Sequence, residues 1–133
     1  MKLFSIIILT IISYCNLYSQ SSEEVKYTKG EIYTIVTDSK TKEVVSEKPF
    51  GKVVEITYNT FYKSFHFFMR TEEGVKPYKL NFVKKEDSGI QIMKDNKNNT
   101  CFVLDDIQNT GKLRIITGEK DGYLVVLEFR NVE

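Results

Sequence analysis

A chain of 133 residues has room for one domain. Its 19 Lys and Arg nearly balance 18 Asp and Glu, and the charges are interspersed along the sequence. That pattern argues against nucleic acid, which recruits proteins through concentrated positive charge. It equally argues against a membrane surface, since no basic amphipathic helix is present.

The N-terminus reads as a targeting segment. Lys2 is followed by an apolar run from Leu3 to Ile12, broken only by Ser5 and Thr10, and then by polar and small residues ending at Tyr18-Ser19-Gln20. A secretory signal has this three-part order, and the run is shorter than the roughly 20 apolar residues a spanning helix needs. Residues 1–19 are therefore expected to be a signal peptide, cleaved after Ser19. The alternative is processing before Cys15, which would make that cysteine a lipid anchor. Cleavage after Ser19 removes Lys2 and leaves 18 basic and 18 acidic residues, so the mature chain is formally neutral. It also leaves Cys101 as the single cysteine, which precludes an intramolecular disulfide. The expected location is outside the cytoplasm, in a periplasm or secreted. No transmembrane segment is expected in the mature chain, and a monomer is expected.

Residues 20–30 are polar and lack a clear period, so they read as a flexible lead-in. From residue 31 to residue 133 the chain is a series of short runs rich in Val, Ile, Tyr, Phe and Thr. Gly, Asn, Asp and Ser separate them about every ten residues, the signature of an antiparallel barrel or sandwich. Glu31–Asp38 alternates, with Ile32, Thr34 and Val36 on one face. Glu43–Glu47 is a short strand, and Pro49-Phe50-Gly51 is expected to end it, because proline cannot donate to the ladder. Lys52–Tyr58 groups Val54, Ile56 and Tyr58. After a turn at Asn59-Thr60, Phe61–Arg70 places Phe61, Phe65, Phe67 and Met69 on one face and Tyr62, His66, Phe68 and Arg70 on the other. Thr71–Val75 reads as a loop.

Lys76–Lys84 groups Tyr78, Leu80 and Phe82. Ile90–Lys94 is short, and Thr100–Asp105 puts Cys101 and Val103 on one face. Lys112–Thr117 follows the turn at Asn109-Thr110-Gly111. The last strand, Tyr123–Arg130, aligns Tyr123, Val125, Leu127 and Phe129. Nine strands with short links favour hairpins over parallel crossovers. The fold class is all-β, a single antiparallel up-and-down meander closed as a small barrel or folded as a two-sheet sandwich. In strand count and topology this resembles the calycin-type, lipocalin-like meanders. The Gly-x-Trp signature of the lipocalin family is absent from a chain without tryptophan, so no function or residue is carried over.

The residues offer little chemistry. His66 is the single histidine and has no acid beside it in sequence, so it reads as a half-exposed strand residue rather than a catalytic base. Cys101 lies in an apolar strand without local positive charge and reads as an inert core thiol, with an intermolecular disulfide as the competing role. One His and one Cys cannot build a zinc set. Asp95–Asn99 is rich in oxygen but lacks the EF-hand pattern, and its residues favour turns for local reasons. Asp105 and Asp106 point to opposite faces of a strand and cannot share a proton or a metal. Asn98-Asn99-Thr100 matches a glycosylation acceptor that is common by chance. No catalytic residue, metal ligand or cofactor is expected, and the ligand-binding residues are unknown.

The aromatic excess is the most informative feature. Phe61, Phe65, Phe67, Tyr78 and Phe82 either fill an interior or wall a cavity. Tyr62, His66 and Phe68, with Arg70 at the rim, form a candidate exposed patch. The leading expectation is an exported, non-enzymatic binding module, holding a small apolar or amphiphilic ligand. The alternative is a protein-interaction or inhibitor module with a filled core. It would act through an aromatic patch, an edge strand or a charged loop such as Thr71–Lys76, on an extracytoplasmic protein.

Overall fold

The computed structural model describes residues 23–133, so the targeting run, Cys15 and the cleavage point after Ser19 lie outside the described residues. Nine strands follow one another: β1 (Glu24–Tyr27), β2 (Glu31–Asp38), β3 (Val44–Asn59), β4 (Ser64–Thr71), β5 (Gly74–Lys85), β6 (Gln91–Asp95), β7 (Thr100–Asp106), β8 (Lys112–Lys120) and β9 (Tyr123–Arg130). One helical turn, α1 (Ile107–Thr110), links β7 to β8. Each strand from β2 to β9 pairs antiparallel with the next, and β9 returns to β2 in an unbroken register from Glu31↔Arg130 to Asp38↔Tyr123. The sheet is therefore a closed eight-stranded barrel, with β1 as an extra strand. Of the two closures the sequence allowed, the barrel is the one formed.

The long strand β3 departs from expectation. Pro49-Phe50-Gly51 does not end it. Pro49 lies opposite Tyr33 and Gly51 opposite Ile32, so Phe50 is the extra residue of a bulge. Proline is tolerated because β4 pairs with β3 only from Lys52 onward, which leaves Pro49 on an edge. The bulge bends the strand, so that its first half serves β2 and its second half serves β4. A second irregularity leaves Val54 unpaired. The buried pair is consequently Val53 and Ile56, rather than Val54 and Ile56.

β1 lies inside the stretch expected to be a flexible lead-in. It pairs with the end of β3, from Glu24↔Asn59 to Tyr27↔Ile56. Four residues are too few to show a period, but Tyr27 packs against the core. The terminal carbonyl of Glu133 accepts the amides of Thr28 (2.8 Å) and Lys29 (3.2 Å), bridging the gap between β1 and β2. Phe61 is the third departure, being 57 % exposed instead of facing inward. The Asn59 side chain accepts the amides of Phe61 and Tyr62 (3.0 and 2.9 Å), which sets a turn and delays β4 to Ser64.

The interior is occupied by side chains. Phe65, Phe67, Phe129, Ile32, Ile56, Leu80, Met93, Leu113, Ile115, Val103 and Cys101 are all fully buried. Their aromatic centre is the Phe67 ring, with centroids of Phe129, Phe65 and Tyr78 at 5.1, 5.6 and 5.9 Å. Ring pairs at such separations add stabilisation beyond burial.

Gly51 sits where β3 passes close against the backbone of β4 at Arg70. A Cβ there would lie 2.3 Å from the Arg70 carbonyl oxygen, a backbone atom that cannot swing away. Gly51→Ala is expected to cost about 1–3 kcal/mol. Gly118→Ala, with nothing within 4 Å of its Cβ, should stay within about 0.5 kcal/mol. Urea unfolding of both variants checks the contrast, and equal midpoints would remove the bend from the account.

Candidate interaction surface

With the inward set fixed, the alternate residues of each strand face outward. On β2, β9, β8, β7 and β6 a single cross-strand row is apolar: Ile35↔Val126, Val126↔Ile116, Ile116↔Phe102 and Phe102↔Ile92. Beside it lie Leu104 on β7 and Leu124 on β9. Val44, at the start of β3, is 63 % exposed, and Phe102 is 40 % exposed. Together Ile35, Val44, Leu104, Ile116, Leu124 and Val126 line a groove of about 300 Å³, joined by Thr37, Lys42, Arg114 and Glu128. The run Leu124-Val125-Val126-Leu127 is apolar on both faces, and all four residues are only half-buried. Continuous apolar runs belong to strands covered on both sides. Here the barrel covers one side.

The groove is bordered by a charge network. Glu128 is the one buried charged residue among the described residues, its side chain 4 % exposed. Its Oε1 accepts from Arg114 Nε at 2.8 Å and its Oε2 from Arg130 Nε at 2.6 Å. Arg130 also pairs with Glu47 on β3, and its guanidinium carbon lies 4.0 Å over the Tyr33 ring. Burial pushes the Glu128 carboxyl upward, but the two arginine hydrogen bonds outweigh it and hold the group below its usual range. Arg130 is held above its ordinary value, first by Glu47 and then by Glu128.

The residues singled out from sequence are not brought together. His66 is exposed, pairs across strands with Thr57 and Lys79, and lies tilted against Phe68 with ring centroids 4.6 Å apart. Tyr62 is not beside them. It stands at the tip of the β3–β4 hairpin against Phe61, edge to face at 5.0 Å. The aromatic patch is thus two separate pairs. Cys101 is 1 % exposed, with its sulfur 3.3 Å from the Tyr78 hydroxyl. Burial pushes both its thiol and that hydroxyl upward. A thiol inside the barrel has no access to another chain in the folded state. Asp95 Oδ1 accepts the amides of Lys97 and Asn99, both at 2.9 Å, so Asp95–Asn99 is a self-bonded turn. Asp105 accepts the amide of Ile107, while Asp106 accepts from Asn109 and Thr110, and both carboxylates serve α1. The loop after Thr71 is only Glu72-Glu73, with Glu73 paired to Lys76. Among the described residues no three His, Cys, Asp or Glu side chains gather as a metal set.

Comparison with protein-family models, curated proteins and solved structures finds no match to this chain.

Glu128→Gln leaves two arginines without their shared carboxylate and is expected to cost about 1–3 kcal/mol at pH 7. A depressed carboxyl pKa stabilises the fold above the unfolded value, and that contribution is lost as pH falls through the folded one. The difference between wild type and variant should therefore shrink below about pH 4. Denaturant titrations from neutral to acidic pH check this, and a gap independent of pH would contradict it.

Proposed function

We propose that the chain is an exported, non-enzymatic protein-interaction module, acting through the outer face of β2, β9, β8 and β7. The observation that carries this reading is the outward cross-strand row of half-buried Ile35, Val126 and Ile116 and exposed Phe102, beside the run Leu124-Val125-Val126-Leu127, which is apolar on both faces and covered by the barrel on one. Contiguous exposed apolar surface of this type marks interaction sites. The eleven side chains buried along the barrel axis support this reading over carriage of a small ligand inside it. Export rests on the order of Lys2, the Leu3–Ile12 run and the polar stretch after it.

A photo-reactive amino acid at Ile116 tests the face directly, with one at Lys79, an exposed site on β5, as the comparison. Irradiation of the exporting cells should give one discrete cross-linked species from position 116 and none from position 79. Equal yields at the two positions, or none at 116, would overturn the reading.

A further inference from the structure

We infer that the outer groove takes an aliphatic segment of a partner protein that carries carboxylates at its flanks. This rests on the interaction reading above and adds the chemistry of the partner.

The floor of the groove is Ile35, Leu124, Ile116 and Val126, which fixes the aliphatic part of the occupant. Of the charged groups that line it, those still open to a partner are the cations Lys42 and Arg114. Glu128 is covered, and each of its oxygens already accepts from an arginine. Arg114 spends only Nε on that carboxylate, and its side chain is 51 % exposed. Lys42 makes no ion pair among the described residues. Asp38, whose carboxyl feels the Lys42 charge, has one oxygen engaged by the amides of Lys40 and Thr41. An occupant with carboxylates matches these two cations, whereas a basic one would meet like charge.

Arg114 also lines a second concavity of about 470 Å³, which shares Leu104 with the groove and adds Lys112. Asp105 and Asp106 also line it and keep their charges while hydrogen-bonded to α1, so the match to an acidic partner rests on Lys42 and Arg114 at the groove itself. With Leu104 on β7, the apolar lining runs from β2 across β9 and β8, four adjacent strands in all and about 14 Å at ordinary strand spacing. An extended segment of about four residues covers that length, with alternate aliphatic side chains facing down and an acid just beyond each end. Edge-on strand addition is a different mode from this one, because the groove lies on a sheet face.

The test is selection of a random displayed peptide library on the full chain, purified from its exported fraction. Enriched peptides should carry aliphatic residues at alternate positions flanked by Asp or Glu. Lys42→Gln and Arg114→Gln should each weaken the selected peptides about tenfold, the loss expected for one charge-assisted contact. Val126→Lys should abolish binding. Lys42→Gln changes only a surface turn, so a folding failure of the other two variants leaves the test decisive. Enrichment of aliphatic peptides without acids, or no loss in Lys42→Gln, overturns the inference but leaves the binding face standing. No enrichment overturns the inference as well, and loss of the Ile116 cross-link would separately remove the face. Displacement of the selected peptides by dodecanoate at equal concentration would assign the groove to a fatty acid, and would also overturn it.

Discussion

The structure depends on the ladder that joins its last strand to β2. Eight consecutive residues of β9 lie opposite eight of β2 without a slip. Because side chains alternate, this register decides for both strands which residues enter the barrel. Ile32 and Phe129 face each other inside, and Ile35 and Val126 face each other outside. Closure also removes the open edges that would invite pairing with other chains. What remains unpaired among the described residues is short, at β1 and at the first half of β3, where Lys48, Pro49 and the Phe50 bulge blunt the edge.

A closed ring of eight strands has an interior that side chains alone can fill. Here they do so, around the Phe67 ring. The proposed recognition role therefore falls to the outer wall. The wall is not uniform. On β4 and β5 it presents the solvated His66, Arg70 and Lys79, with Phe68 and Val75 between them. On β2, β9, β8 and β7 it presents the apolar row, held beside arginines that Glu128 locks in place. The buried carboxylate thus has a geometric role. It fixes two cations at the border of an apolar groove, while its own charge is hidden.

Much of the fold is legible in the sequence because alternation is a direct image of a strand. Phe65, Phe67 and Met69 are buried as their spacing says, and so are Cys101 and Val103. The departures come from local devices that break the period of two. A side-chain cap from Asn59 pulls Phe61 into a turn. Extra residues at Phe50 and Val54 shift the phase of β3, so a strand that reads as two is one. The nine-strand count agrees only because β1, invisible in four residues, replaces the strand lost by that merger. The face proposed for binding is harder still. Arg130 meets Glu47 across 83 residues of sequence, and no local pattern announces such a contact. One signal was present, the run Leu124-Val125-Val126-Leu127, which is apolar on both faces. It says that both sides want cover, without saying what supplies it.

The most direct measurement is native mass spectrometry of the protein purified from the cells that produce it, set against its denatured mass. A filled barrel that recognises partners on its outer wall predicts the polypeptide free of any small-molecule adduct, alone or with a protein partner. A stoichiometric small-molecule adduct that is released on denaturation would make the protein a ligand carrier instead of a protein-interaction module, and would contradict this reading.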